Sequence, residues 1–315
     1  DKEYFEQLFS APQKAEILIV SEDLYDLSLQ KHNISYVFLM TEQYEEEQTA
    51  DLNLTRIFKY TSIKEIFNEI AGKSADALNI EDNVKKETQV VLVTSAAGGV
   101  GKTTVAMGLS ACMSQNYKKV LYLNVEYLQT FQYLLKNPSP ITNADFYRKM
   151  MENKKILYTE VKYLIRTEMF NYLPPLKTSM VSLGITPELY FGLIKSAKES
   201  HDYDFIVIDA DSIFNEEKAK LVDLADKVII VTNQNAGSVA ATNVLISNIN
   251  KINDEKYIYI CNNFNKELDN GLISPNTSLK FSINEYIEHL PHYDTLKGID
   301  FANYSDFQKT AYLLI

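Results

Sequence analysis

Residues 95–104, Ser-Ala-Ala-Gly-Gly-Val-Gly-Lys-Thr-Thr, restrict this chain to a narrow set of folds. An apolar run, Val90–Val93, leads into a glycine turn, and a helix-compatible run, Thr104–Ala111, follows it. That order of strand, glycine turn and helix is what turns a glycine-rich pattern into a phosphate loop. Residues without side chains let consecutive backbone N–H groups close around phosphate oxygens, and the helix N-terminus adds its positive dipole end. Gly98, Gly99, Val100 and Gly101 are read as the cradle, with Thr104 closing it. Lys102 would reach the β- and γ-phosphates, and the Thr103 hydroxyl would sit on Mg²⁺. A glycine-rich surface turn with an incidental lysine does not account for the strand, the Lys-Thr pair and the helix together. The ligand implied is a nucleoside triphosphate.

With 315 residues, two domains are expected. The 46% hydrophobic and 23% charged content is that of an ordinary globular chain. Net charge is −11, and only three of the 31 basic residues are arginines (Arg56, Arg148 and Arg166). So acidic and arginine-poor a chain lacks the electrostatic footprint of a DNA-duplex binder. Cys112 and Cys261 lie inside apolar stretches and read as small buried hydrophobes, which suits a reducing cytosol. No apolar run approaches the length of a membrane span, and no signal-peptide pattern is visible.

Residues 1–82 read as a small open α/β unit. It comprises a short helix up to Phe9, strands at Ala15–Val20, Ile34–Met40 and Arg56–Tyr60, and an amphipathic helix, Ser62–Ile70, capped by Ser62. A polar stretch from Gly72 to Glu87 is the linker, with its core at 83–88. From residue 89 to 315 strands alternate with helical patterns, as in a mostly parallel, doubly wound sheet. Strands are expected at Val90–Ser95, Val120–Asn124, Phe205–Ala210, Val228–Asn233 and Tyr257–Asn262. Helices are expected at Thr103–Gln115, Pro187–Glu199 (Thr186 as N-cap, Pro187 at its first position) and Gly237–Ile252. Residues 136–178 resist assignment, and the C-terminal run Tyr304–Ile315 reads as a packed terminal helix.

The strand Asp204–Asp209 supplies the second diagnostic feature. An apolar strand ending in an acid sets a carboxylate at the carboxyl edge of the sheet, beside the phosphate loop. There Asp209 can hold Mg²⁺, directly or through a water. Asp211 and Ser212 are read as caps for a helix over Phe214–Leu224.

On these landmarks, together with the strands Val120–Asn124 and Ala225–Asn233, residues 88–300 resemble the ParA/MinD group of deviant Walker A ATPases. The resemblance implies ATP and Mg²⁺ as cofactors, a homodimer, and an adenine pocket lined by Asn262 or Asn263 and by Pro291. It also exposes departures. The group's signature lysine would fall at Ala97, and the Asp-x-Asp pair that orients the attacking water is replaced by Asn124 and Glu126. Misplacing a reacting group by a single methylene can lose about a hundredfold in rate. Slow or absent hydrolysis with intact binding is therefore expected, with Lys102, Asn124 and Glu126 as the residues of catalysis. Lys59–Ser62 with the helix that follows resembles the last strand and helix of a response-regulator receiver. A degenerate receiver ahead of such an ATPase resembles the TadZ/CpaE proteins of type IV (Tad) pilus assembly. That resemblance implies a cytoplasmic, polar scaffold that meets pilus or secretion proteins through its N-terminal unit, touching membrane only indirectly. Alternatives are a ParA-type DNA partitioning ATPase, which needs a basic surface, and a MinD-like membrane-cycling ATPase, which needs a basic amphipathic C-terminal helix. A tyrosine kinase would carry a C-terminal tyrosine cluster, and an iron–sulfur carrier paired surface cysteines; the chain has neither.

Overall fold

The structure, a computed structural model, describes residues 2–42, 54–61, 63–74, 87–153, 156–249, 254–273 and 278–315. The chain divides into two compact units, Asp1–Lys85 and Lys86–Ile315. The first contains α1 (Lys2–Leu8), β1 (Lys14–Ser21), β2 (Asn33–Thr41), β3 (Leu54–Phe58) and α2 (Ile63–Lys73). Its three strands pair in parallel in the order β1-β2-β3. Phe38, Ile57 and Ile70 form its small core, with Ile66 packed against them. The third strand begins two residues before the expected Arg56 and ends at Phe58, and α2 runs on to Lys73, past the expected start of the linker. The proposed cap Ser62 and most of the proposed linker lie outside the described residues.

The second unit contains β4 (Gln89–Thr94), α3 (Lys102–Gln115), β5 (Val120–Asn124), α4 (Ala144–Asn153), α5 (Tyr158–Val161), β6 (Arg166–Thr167), β7 (Asn171–Tyr172), α6 (Leu189–Ser200), β8 (Phe205–Asp209), α7 (Glu216–Leu224), β9 (Lys227–Thr232), α8 (Ala236–Asn248), β10 (Tyr257–Phe264), β11 (Glu285–Glu288) and α9 (Ser305–Tyr312). Eight strands form one sheet in the order β11-β10-β9-β4-β8-β5-β7-β6, parallel except for the short β6–β7 pair. The expected mostly parallel α/β sheet, preceded by a smaller α/β unit, is the architecture found.

Central strands are buried on both faces, so each divides its side chains between two cores. Val90, Leu92, Leu121, Leu123, Ile206 and Ile208 meet Leu193 and Ile194 of α6 on one side. Val91, Val93, Tyr122 and Val207 meet Val105 and Leu109 of α3 and Phe307 of α9 on the other. Because both faces are covered, these strands read as continuous apolar runs, and that made them visible in the sequence. β6, β7 and β11, of two, two and four residues, are too short to carry such a signal.

Several local expectations are corrected. The α-helix after Pro187 begins at Leu189; its cap position is Glu188, and no side chain caps it. Thr186 and Pro187 instead form the preceding turn, their carbonyls accepting from Leu189 and Tyr190 N–H. Neither Asp211 nor Ser212 caps α7: Asn215 does, its side chain accepting from Lys218 N–H. Asp211 is engaged elsewhere, accepting from Ile213 N–H and facing Lys218. α8 ends at Asn248, and residues 250–252 of the longer helix expected there lie outside the described residues. Cys112 and Cys261 are unpaired and buried, and burial pushes both thiols up to about 12. In α9, Phe307, Thr310 and Ala311 are buried against the unit's core. No helix among the described residues is long and apolar enough to cross a membrane.

Candidate functional site

After β4 the chain turns into α3, and the next strand, β5, lies beyond β8, while β9 lies on the opposite side of β4. Strand order therefore reverses at β4, and crevices open at such points beyond the carboxyl ends of parallel strands. A cavity of about 660 Å³ sits there, lined by residues that include Gly99–Thr104, Glu126, Tyr133, Asn262, Asn263, His289 and Tyr293.

The loop's conformation follows from its glycines. Gly99 has φ +72°, and Gly101, the N-cap of α3, has φ +87°, in the left-handed region that side chains with Cβ avoid. Gly101 is also crowded: a Cβ there would lie 2.1 Å from Asn262 Nδ2. That amide donates to Val100 O at 2.9 Å, so β10 braces the loop directly. Lys102 opens α3 and is 9% exposed; its Nζ is 3.9 Å from Glu126 Oε1.

Asp209 is fully buried, at the end of β8. Register sets Asn124 directly opposite it on β5. Its Oδ2 accepts from Asn124 Nδ2 and from Tyr122 OH, both at 2.8 Å, while Oδ1 has no hydrogen-bond partner among the described residues. Burial raises the Asp209 pKa, against the pull of Tyr122, the nearby Thr103 hydroxyl, Asn124 and Lys102. Glu126 is pushed up to about 7, by burial first and then by the Asp209 charge, with Lys102 opposing. An acid with one fully bonded oxygen and one bare oxygen beside a threonine hydroxyl has an unmet demand for a cation. No group of three His, Cys, Asp or Glu side chains among the described residues could hold a metal alone. Mg²⁺ is held by one or two protein oxygens plus phosphates and waters, and Asp209 with the Thr103 hydroxyl supplies such a pair. The donor set fits the group.

Not every expected residue reaches the cavity wall. Glu126 does, whereas Asn124 and Asp209 stand behind it. Gly98 begins the loop but is not on the wall, and an added Cβ there meets nothing within 4 Å. Asn262 and Asn263 both line it. They differ in role: Asn262 is tied to Val100, and Asn263, at φ +55°, carries an Oδ1 2.6 Å from His289 Nδ1. Pro291 is exposed and absent from the wall; its neighbours Leu290 and His292 take that place. A proline is sequence evidence for a turn, and here the turn directs its neighbours inward.

Three contributors escaped sequence reasoning: Tyr122, Tyr133 and Lys218. Tyr122 lies in the middle of β5, and only register brings its hydroxyl to Asp209. Lys218 of α7 is 4% exposed, with Nζ 3.0 Å from Thr94 Oγ1, 2.6 Å from Asp211 O and 3.5 Å from Asp211 Oδ1. It ties the end of β4 to the segment after β8. Burial lowers its pKa to about 8, with Asp211 opposing. The unfolded lysine keeps its proton up to about 10.5. Between these values the unfolded state holds more protons, so this group makes stability rise with pH. The unfolding free energy of wild type minus that of Lys218→Met is expected to grow by about 3 kcal/mol from pH 7.5 to pH 10.5. Urea denaturation at the two pH values checks this, and a pH-independent difference would contradict it.

Over residues 88–264 the sequence matches the AAA domain family. The antiactivator FleN of Pseudomonas aeruginosa is 24% identical over 165 residues, 52% of this chain and 57% of FleN. The match thus spans little more than half of that relative. MinD of Pyrococcus horikoshii, solved in complex with Mg-ADP, is 19% identical, with a TM-score of 0.55 over 72% of this chain and 94% of that one. A ParA family ATPase of Chlorobium tepidum is 18% identical, with a TM-score of 0.54 over 72% of this chain and 98% of that one. MinD in the MinC:MinD cell division complex of Aquifex aeolicus is 19% identical, with a TM-score of 0.53 over 72% and 95%. These likenesses concern the fold. With more than half its length matched and a glycine-turned phosphate loop at the sheet's reversal point, the chain belongs to the AAA domain family.

Proposed function

We propose that the second unit is a ParA/MinD-type, deviant Walker A P-loop ATPase that binds ATP with Mg²⁺ and hydrolyses it slowly or not at all. The observation that carries this reading is the buried Asp209 with its bare Oδ1, beside Thr103 at the mouth of the glycine loop. The backbone amides of Gly98–Thr104 and the Lys102 ammonium bind the phosphates; Thr103 and Asp209 would hold the metal. Bound Mg²⁺ supplies charge neutralisation at the β- and γ-phosphates. Asn262 keeps the loop in shape from behind, and Asn124 holds Asp209 through Oδ2. Glu126 lines the cavity wall with its carboxylate 3.9 Å from Lys102 Nζ, and it orients the attacking water. Its placement on a longer side chain than aspartate accounts for slow turnover. Glu126→Gln is expected to retain ATP affinity within about threefold and to lower phosphate release at least tenfold. Calorimetry and a phosphate-release assay check the two halves; unchanged turnover would remove Glu126 from this role.

At the level of the cell, we infer a cytoplasmic, polar localisation scaffold for type IV (Tad) pilus assembly or secretion, acting as an ATP-stabilised homodimer. Support comes from the smaller parallel α/β unit ahead of the ATPase, while Ala97, where the signature lysine would stand, leaves the dimer to rely on other surfaces. A fluorescent fusion that stays diffuse in cells, or a monomer in light scattering with ATP and Mg²⁺, would count against it. The FleN similarity favours a second reading, an ATPase that acts as an antiactivator. Co-purification with pilus or secretion components, against co-purification with an activator, separates the two.

A further inference from the structure

Three hydroxyls from three parts of the chain meet on the cavity wall. Thr104, in the first turn of α3, has its Oγ1 2.8 Å from Tyr293 OH. Tyr293 OH is in turn 2.8 Å from Tyr133 OH, which comes from the short helical turn after β5 (Phe131–Leu134). All three residues line the cavity. The Tyr293 ring and the Tyr133 backbone are held from behind. Tyr293 stacks on Phe301, with centroids 6.1 Å apart and planes at 18°, and Phe301 stacks on Phe307 at 5.1 Å and 20°. Lys297 Nζ donates to Tyr133 O at 2.8 Å, fixing that turn.

Proton counting gives the trio a direction. Three hydroxyls carry three protons, and the two internal hydrogen bonds use two of them. If Tyr133 donates to Tyr293 and Tyr293 to Thr104, the spare proton sits on Thr104, inside the cavity. If the chain runs the other way, the spare proton sits on Tyr133, which is half exposed and can give it to water. Burial, then the bond to Tyr293, holds the Tyr133 phenol above its ordinary pKa, so it remains a donor. An anion beside Thr104 selects the first direction, and each bond in such a chain polarises the next.

We propose that Tyr293 and Tyr133 are positioning residues for the nucleotide: they orient the Thr104 hydroxyl as a donor to the α-phosphate. The proposal rests on the nucleotide-binding reading above. The α-phosphate is the one assigned because Lys102 is paired with Glu126 on one part of the wall, while Thr104 is tied to the 288–294 segment on another. A triphosphate with its γ end at Lys102 runs toward Thr104 with its nucleoside end. The tyrosine chain adds a directed, charge-assisted hydrogen bond on the α-phosphate, a contact common to tri-, di- and monophosphate.

The test is calorimetry of ATP, ADP and AMP with wild type, Tyr293→Phe, Tyr133→Phe, Thr104→Val and the Thr104→Val/Tyr293→Phe pair, with thermal unfolding alongside. Phenylalanine at 293 keeps the stack on Phe301 and removes only the hydroxyl. Tyr293→Phe is expected to weaken all three nucleotides by the same factor, about tenfold, and Tyr133→Phe by about threefold. The double variant should lose no more than Thr104→Val alone, because both remove one contact. Wild-type binding with unchanged affinity in Tyr293→Phe, a loss confined to ATP, or additive losses in the pair would each overturn the proposal and leave the nucleotide site standing. No binding of any nucleotide by the wild type would overturn both.

Discussion

Lys102→Ala is expected to lower ATP affinity at least a hundredfold, below detection in an ordinary calorimetric titration. Lys102 is the single ammonium on the cavity wall among the described residues, and it is nearly enclosed, at 9% exposure. Behind or beside it stand two carboxylates, Asp209 and Glu126, whose proton affinities it lowers. Removing it therefore does two things. The phosphates lose a charge-assisted partner in a poorly solvated place, and the Glu126 carboxylate on the same wall loses the cation beside it. A lost hydrogen bond to a charged group costs about 1.5–3 kcal/mol, and the added repulsion carries the sum past the 2.7 kcal/mol that a hundredfold represents. Arginine is not expected to rescue binding, because its planar fork is larger than the ammonium and is shaped for bidentate contacts. Affinity within threefold of wild type in the alanine variant would show that phosphates do not bind at this loop.

Gly101→Ala is expected to be the most damaging single methyl in the loop. Its φ of +87° is strained for any residue with a Cβ, at about 1–2 kcal/mol. The new methyl would lie 2.1 Å from Asn262 Nδ2, so the amide must move and give up its bond to Val100 O. Losing a buried hydrogen bond adds about 1–3 kcal/mol, for a total near 3 kcal/mol. Gly98→Ala is the internal control: its φ is not positive, nothing lies within 4 Å of the added methyl, and stability should change by less than about 1 kcal/mol. Thermal unfolding followed by circular dichroism compares the two. Equal melting temperatures would show that Asn262 does not brace the loop.

The phosphate loop was legible because its chemistry demands an order of residue types over a short span. Glycines at positive φ, a lysine and a threonine must follow a strand and open a helix, and no distant residue is needed to recognise that. Asp209 was legible for a related reason: an acid ending an apolar run has one sensible address in a parallel sheet. The nucleoside end was read less well. Asn262 and Asn263 do line the cavity, but Pro291 turns away from it, because a proline signals a bend without saying which neighbour the bend points inward. Thr186, Pro187, Asp211 and Ser212 likewise had the chemistry of helix caps, yet Thr186 and Pro187 form the turn before α6, Asp211 faces Lys218, and Asn215 caps α7.

Local order alone thus made legible the strand–helix alternation of a mostly parallel sheet, the phosphate loop and the acid-ended strand, since each is a pattern among residues close in the chain. Tertiary structure decided the rest. Strand register brought Tyr122 and Asn124 onto one oxygen of Asp209 and left the other bare; the approach of residue 293 to residue 104 joined Tyr133, Tyr293 and Thr104; burial turned Lys218 from a helix-surface lysine into a tie between two strand ends. The physical reason is separation. Each of these contacts joins residues more than 80 positions apart or depends on desolvation, and neither a partner's distance nor a local dielectric is written in the neighbouring residues.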